Sequence, residues 1–358
     1  MGDNRSRKTR KIFLGSIPVG GDAPVSVQSM TATDTRNVRR TVTQIRRLER
    51  VGCEIIRVAV PDEEAAAAIP RIRKQIGIPL IADIHFRHRL AILAIEAGVE
   101  GLRINPGNMK RSALPDIVSA ARERNTVIRV GVNAGSLEKD LLEKFGGPTP
   151  EAMVASALGQ VRLMEDLGFS NLKVSLKSSD VLTMIRAYQL LAAEIDYPLH
   201  LGVTEAGSLL PAAIKSALGI GTLLQQGIGD TIRVSVTGDP VREIPVAYAI
   251  LRALKLRLVG PEVISCPTCG RCEINLPRLV QTVERRLRGE KTYLKVAVMG
   301  CVVNGPGEAA EADVGIAGGR GTGMLFRRGK IIGRVREADF AEALLAEINT
   351  IIKEKKEA

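Results

Sequence analysis

Tryptophan is absent from this 358-residue chain, and Phe, Trp and Tyr together make up 3% of it. Binders of single-stranded nucleic acid use aromatic rings as stacking platforms, so the deficit weighs against that class. It does so although 51 Lys and Arg exceed 39 Asp and Glu, a net charge of +12 that otherwise invites a nucleic-acid partner. Part of the excess sits in "RSRKTRK" and "KEKKEA", near the two ends, where it reads as solvated charge. Long apolar runs are missing too. No stretch approaches the roughly 18 residues that span a bilayer. No apolar segment follows the charged start "MGDNRSRKTRK", so neither a membrane span nor a secretory leader is expected. Cysteine is scarce, five in all. An odd count without a leader argues against a disulfide framework and fits a reducing, cytoplasmic setting.

What is present is a repeating alternation. Short runs rich in Val, Ile and Leu recur at 24–30 ("PVSVQSM"), 54–60, 79–85, 101–107, 127–133, 172–177, 200–205 and 231–236. Segments with helical spacing follow them, such as "NVRRTVTQIRRLERVG" and "PEAMVASALGQVRLMEDLG". Eight such units within about 240 residues match the count and size of a (β/α)8 TIM-type barrel. Alternation alone gives only the α/β class and leaves a doubly wound sheet open. The pattern changes near "LRLVGPEV", where Gly260 and Pro261 read as a linker. The expected organisation is a substrate-binding barrel over residues 1–258 and a smaller α/β domain over 259–358, built around the cysteines.

Active sites in barrels of this kind lie at the C-terminal ends of the strands. The sequence places polar groups there in turn: Arg57, Asp83, His85, Arg103, Asn105, Arg129, Asn133, Lys173, Lys177, Glu205, Arg233 and Ser235. Any one alone reads equally well as a surface residue or half of a structural ion pair. Cations at five of the eight strand ends are harder to dismiss. Guanidinium groups offer fixed paired donors, and amides and hydroxyls complete the coordination of anionic oxygens, so the expected ligand is a phosphorylated or diphosphorylated small molecule.

The cysteines point to a metal. Cys266, Cys269 and Cys272 are spaced at two-residue gaps, and Cys301 follows alone in "GCVVNGPGEA". A structural zinc site commonly uses paired clusters, which Cys301 does not supply, and His85, His88 and His200 lie in the barrel region. The triple spacing matches the first part of a ferredoxin run, but the fourth Cys is 29 residues on. Spacing therefore leaves zinc and iron–sulfur both open. The fifth cysteine, Cys53, reads as a small core residue. "GGRGTG" precedes the strand-like "MLF", which is the wrong context for a dinucleotide loop.

The motifs "VQSMT", "DIHF", "LRINPGN", "RVGVNAGSLEKDL", "KVSLKSSD", "HLGVTEAG", "GIGDTIRVSVTGDP", "CPTC" and "GCVVNGPGEA" together resemble the bacterial 4-hydroxy-3-methylbut-2-enyl diphosphate synthase family, from about residue 10 to 350. The resemblance implies a [4Fe-4S] cluster held by three cysteines and a glutamate, which fall on Cys266, Cys269, Cys301 and Glu308. Spacing alone would favour four thiolates including Cys272, which the family pattern does not use. The implied reaction is reductive ring opening and dehydration of 2-C-methyl-D-erythritol 2,4-cyclodiphosphate to 4-hydroxy-3-methylbut-2-enyl diphosphate, in non-mevalonate isoprenoid biosynthesis. Its two electrons would come from flavodoxin or ferredoxin. On that reading Arg57, Arg103, Asn105, Arg129, Asn133, Lys177, Arg233 and Ser235 hold the diphosphate. Glu205 transfers a proton, with His85 and Asp83 as helpers; otherwise Glu205 is an ion-pair partner of one of the arginines.

Chain direction adds an expectation about assembly. The last barrel helix should carry the chain about 25 Å from the strand tips. The linker "LVGPEV" reaches only about 20 Å when extended. A head-to-tail homodimer, which the resemblance also implies, would let each cluster domain cap the partner's barrel. The competing reading from another class is a zinc-stabilised basic protein that binds nucleic acid, supported only by the charge and the CxxCxxC spacing.

Overall fold

The computed structural model of the chain describes residues 7–84, 87–105, 111–301, 307 and 309–357. One compact unit ends at Arg257 and a second begins at Leu258. In the first, a short antiparallel hairpin of β1 (Ile12–Leu14) and β2 (Ile17–Val19) precedes eight parallel strands. These are β3 (Ser26–Met30), β4 (Ile55–Ala59), β5 (Leu80–Asp83), β6 (Gly101–Ile104), β7 (Val127–Asn133), β8 (Leu172–Lys177), β9 (His200–Leu201) and β10 (Thr231–Ile232). β3 to β8 pair in chain order and β10 lies between β3 and β9. A parallel bridge from Val174 to Leu199 closes the ring, as in a TIM-type barrel.

The helices between strands form where apolar residues recur at helical spacing and a polar side chain caps the start. In α1 (Val38–Arg50), Val42, Ile45 and Leu48 are buried, and the Asn37 side chain accepts from the Arg40 amide. In the helix Pro150–Asp166, Thr149 caps the start and Pro150 sits at the first position, where its missing N–H costs nothing. Helices cover the outer wall, so outward strand residues are apolar and the inward ones are free to carry chemistry. Along β7, Ile128, Val130 and Val132 alternate with Arg129, Gly131 and Asn133.

The hairpin is an element the sequence reading missed. Its Ile12, Leu14 and Val19 pack on Ile55, Ile81 and Val127, near the starts of β4, β5 and β7. One end of the barrel is thereby closed with apolar side chains. Two residues further along the same strands stand Arg57, Asp83 and Arg129.

Two strands are shorter than expected. The runs 200–205 and 231–236 keep ladder geometry only over His200–Leu201 and Thr231–Ile232. Beyond them Gly202 lies so close to the Arg233 carbonyl that a Cβ would stand 2.6 Å from its oxygen. The Thr204 amide bonds Ser178 instead of continuing the ladder.

The second unit is a five-stranded sheet: β11 (Glu262–Ser265), β12 (Lys295–Met299), β13 (Val314–Gly318), β14 (Thr322–Arg327) and β15 (Lys330–Arg336), in that order. The first three are parallel and the last three antiparallel. Helix Leu276–Arg286 and the C-terminal helix Phe340–Glu357 cover one face, packing Val283, Leu344, Ile348 and Ile351 on Val296, Val298, Val314 and Ile316. The period of two sends Ala297 and Met299 to the other face, beside Ala309, Ala312 and Phe326. The "GGRGTG" segment is the hairpin turn between β13 and β14, closed by Gly319 N–H to Thr322 O at 2.8 Å.

Candidate active site

In the barrel, inward side chains from five of the eight strands form one cationic cluster. Arg57 stands in mid-β4, Arg103 in β6, Arg129 in β7, Lys173 and Lys177 near the two ends of β8, and Arg233 just past β10. Lys173 is therefore not at a strand tip as expected; it pairs in register with Arg129, deep in the barrel. Arg129 and Lys173 are each 1% exposed. Against these six cations stand the buried carboxylates of Asp83 and Glu243; Asp230, also buried, lies 3.9 Å from Arg7.

The first two carboxylates are engaged on one side of the cluster. Asp83 Oδ1 lies 3.6 Å from Arg103 Nη1 and 3.9 Å from Arg57 Nη1. Glu243, the first residue of the helix Glu243–Ala253, accepts from Ser29 Oγ at 2.7 Å and lies 3.5 Å from Arg233 Nη2. The thioether of Met30, at the end of β3, accepts from Arg57 at 3.0 and 3.2 Å. Arg103 also donates to the Gly131 carbonyl at 3.4 Å. A Cβ at position 131 would stand 2.6 Å from Arg103 Nε, so the glycine makes room for that guanidinium. Arg129 Nε and Nη1, Lys173 Nζ and Arg233 Nε are buried with no hydrogen-bond partner among the described residues. Buried donors in that condition carry an uncompensated desolvation cost.

Proton affinities follow from this crowding. Burial, with Asp83 pulling the other way and Arg233 and Arg103 adding to it, brings the Arg57 guanidinium down to about 10, so it stays charged at neutral pH. Burial and the neighbouring Arg129 and Arg57 push Lys173 well below its ordinary value. Burial and Arg233 do the same for Lys177. His200, 0% exposed on β9, is held neutral by burial and by Arg129 and Lys177. An anion entering here would relieve all of these repulsions at once.

The remaining expected residues surround the cluster unevenly. Asn105 is buried just beyond β6, Asn133 ends β7, and Ser235 follows Arg233, half-buried. Glu205 is exposed, four residues past the end of β9, with a left-handed φ of 52°. Strain of that sort, of order 1–3 kcal/mol, persists where surroundings fix the backbone and is frequent at working sites. Glu205 forms no ion pair with a described arginine. His85 lies outside the described residues, as does Glu308. His88 is exposed at the start of the helix His88–Glu96. Sequence reasoning missed Met30, Glu243 and His200; only the quoted motifs around Met30 and His200 signalled them. Cys53 is a core residue, 3% exposed, its thiol pushed up to about 12 by burial.

In the second unit, pairing of β11 with β12 brings Cys266 and Cys301 to the same end of the sheet: Ser265 stands opposite Val298, and each cysteine follows within three residues. The Gly300 amide donates to Cys266 Sγ at 3.2 Å. Cys269 is exposed on the following turn, and Cys272 packs inward against the apolar core. All five cysteines are free thiols. Among the described residues no three His, Cys, Asp or Glu side chains are grouped closely enough to enclose a metal ion. The donor chemistry nonetheless fits an iron–sulfur group: soft sulfurs at one sheet edge, one of them already receiving an amide N–H of the kind that stabilises cluster thiolates.

A cavity of about 480 Å³ lies elsewhere, lined by Arg10, Arg162, Glu165, Asp196 and Tyr197 before the start of β9. Its charged groups already satisfy one another, with Arg10–Asp196 at 2.7 Å and Tyr197–Glu165 at 2.9 Å. The cationic cluster is the stronger site.

Comparison with known proteins agrees. The GcpE TIM-barrel domain matches residues 9–248 and the GcpE protein C-terminal domain matches 262–350. The chain is 60% identical over 349 residues to the 4-hydroxy-3-methylbut-2-en-1-yl diphosphate synthase (flavodoxin) of Geobacter sulfurreducens, covering 97% of this chain and 99% of that one. It is 59% identical to the protein of the same name from Caldanaerobacter subterraneus, covering 97% and 98%. Among solved structures, 3-dehydroquinate dehydratase from Geobacillus kaustophilus superposes with a TM-score of 0.50 at 16% identity, over 70% of this chain and 98% of that one, a likeness of fold alone. Full-length relatives, matched barrel and C-terminal parts in the same order, and the geometry of both units lead to one conclusion: the chain belongs to the GcpE family.

Proposed function

We propose that this enzyme is an iron–sulfur oxidoreductase that reductively opens and dehydrates 2-C-methyl-D-erythritol 2,4-cyclodiphosphate to 4-hydroxy-3-methylbut-2-enyl diphosphate. A ring carbon–oxygen bond breaks and a hydroxyl leaves as water, with two electrons and two protons consumed. The observation that carries the reading is the buried excess of cations over carboxylates in the barrel. A cyclic diphosphate is a dianion, and it supplies the missing negative charge. Nothing favours the nucleic-acid alternative: a cluster buried inside a barrel is closed to a polymer.

The chain's own groups divide the work. Arg57, Arg103, Arg129, Lys177 and Arg233 bind the two phosphates, while Asn105, Asn133 and Ser235 offer neutral donors at the rim. Asp83 and Glu243 orient Arg103 and Arg233 and keep their forks in place. Glu205, exposed and held at a strained backbone position, gives up a proton to the departing hydroxyl, with Asp83 and His85 as helpers. Cys266, Cys269, Cys301 and Glu308 would hold a [4Fe-4S] cluster, which supplies electrons one at a time when bound. The donor is flavodoxin, as the relatives' name states for them, or ferredoxin.

We further propose a head-to-tail homodimer in which the cysteine-bearing unit of one protomer serves the barrel of its partner. The setting is the cytoplasm, where five free thiols persist. The test is anaerobic purification followed by turnover with reduced flavodoxin. The reading expects a brown protein with stoichiometric iron and sulfide, and product formed from the cyclodiphosphate. Cys266→Ser, Cys269→Ser and Cys301→Ser should lose the cluster, and Glu308→Gln should weaken it. A colourless, iron-free protein retained on nucleic acid would overturn the proposal.

A further inference from the structure

The third cysteine of the CxxCxxC segment has no place in the ligand set above, yet it makes defined contacts of its own. Cys272 Sγ donates to the Ile274 carbonyl at 3.4 Å, and its amide bonds the Cys269 carbonyl at 2.9 Å. Its side chain packs against the apolar core beside Leu276. It also lies directly under Gly300, the residue that precedes Cys301. A Cβ built on Gly300 would stand 2.6 Å from Cys272 Sγ and 3.3 Å from Leu276 Cδ2.

Gly300 is held from three sides. Its N–H points at Cys266 Sγ at 3.2 Å, its carbonyl accepts from the Glu273 amide at 3.2 Å, and its Cα rests on the Cys272 thiol. The φ of Gly300 is not in the left-handed region, so conformational freedom is not the reason for a glycine there. Close approach is. The sulfur of Cys272 therefore sets how near the β12 end can come to the CxxC turn, and with it the aim of one N–H at one sulfur.

We infer that Cys272 is a positioning residue: by packing under Gly300 it fixes the Gly300 N–H on Cys266 Sγ and so tunes the reduction potential of the iron–sulfur group. This rests on reading Cys266, Cys269 and Cys301 as its ligands. N–H donors to cluster sulfurs stabilise the more negative, reduced form, so loosening this one lowers the potential. A thiol with no ligand role is suited to the position because it is small, polarisable and satisfied by a single weak hydrogen bond.

The test uses the full-length protein reconstituted without oxygen, with iron and sulfide content, electron paramagnetic resonance line shape and a redox titration as readouts. Cys272→Ala should keep the iron but shift the oxidised-to-reduced ratio at fixed potential by up to about tenfold, a fall of up to about 59 mV for one electron. Cys272→Ser, which keeps the donor to Ile274 and part of the bulk, should shift the potential less than Cys272→Ala. Gly300→Ala should also lower the potential. Combining Gly300→Ala with Cys272→Ala, so that the new methyl occupies the space left by sulfur, should return the potential towards the parent value.

An unchanged potential in Cys272→Ala, or strictly additive shifts in the double variant, overturns the positioning role while leaving the iron–sulfur reading standing. Loss of iron in Cys272→Ser would instead make Cys272 a ligand and overturn it differently. A parent protein that takes up no iron defeats the underlying reading, and the first measurement separates that case from the others.

Discussion

Arg129 offers a test in which stability and binding should move in opposite directions. Its guanidinium is 1% exposed, two of its nitrogens have no partner among the described residues, and its charged neighbours Arg57, Arg103 and Lys173 repel it. Replacing it with Met keeps much of the volume and removes a buried, poorly compensated charge. Exchanges of that kind are neutral or stabilising by about 1–4 kcal/mol. One kcal/mol corresponds to a rise in Tm of about 2–4 °C for a unit of this size. The same change deletes a charge-assisted clamp on the diphosphate, worth about 1.5–3 kcal/mol, or roughly a 10- to 150-fold weaker Kd. Arg103 is the control, because it lies 3.6 Å from Asp83. Arg103→Met strips that carboxylate of its nearer cation and should lower Tm while weakening binding comparably. The assays are calorimetric titration with the cyclodiphosphate and thermal unfolding of the ligand-free protein, with the cluster spectrum checking that the second unit is intact. Equal destabilisation by both variants, together with an unchanged Kd for Arg129→Met, would refute the claim that the cluster is built for an anion.

Three further outcomes follow from the same geometry. Glu205→Gln should bind substrate normally but turn over roughly 100-fold more slowly; full activity removes its proton-transfer role. Because the anion favours the protonated forms of Lys173 and Lys177, whose affinities for protons are lowered in the free protein, substrate affinity should fall as pH rises through their depressed range, by up to about tenfold per pH unit for each proton taken up. Over that window the unfolded chain, with ordinary lysines, binds more protons than the folded one. The ligand-free protein should therefore gain stability as pH rises towards about 10.4, and affinity that increases with pH would contradict the assignment. Mixing Glu205→Gln with Cys301→Ser under conditions that exchange subunits should recover about a quarter of full activity, since half the dimers are mixed and one of their two sites is intact. No recovery despite proven exchange would sink the shared-site dimer.

The alternation of Val-rich runs with amphipathic segments is local, and it was enough to give the α/β class and the change of pattern near Gly260; the count of eight units is what pointed to a barrel. The cations were also legible, because a strand's period of two forces residues such as Arg129, Gly131 and Asn133 to share a face. Cysteine spacing named the metal-bearing region but could not choose between zinc and iron–sulfur; the wider set of motifs did that.

Other features exist only once the chain has closed on itself. No local signal says that Ile12, Leu14 and Val19 will plug the barrel floor, because their partners are the distant Ile55, Ile81 and Val127. Lys173 reads like Lys177 in sequence, yet register with Arg129 buries it deep while Lys177 ends the same strand. Glu243 becomes a partner of Arg233 and Ser29 only through a helix start brought beneath β3 and β10. The same holds for Cys272, whose contact with Gly300 joins residues 28 positions apart. Periodicity and composition are set by neighbours along the chain, whereas burial, charge balance and the aim of a single N–H depend on which distant strands become adjacent.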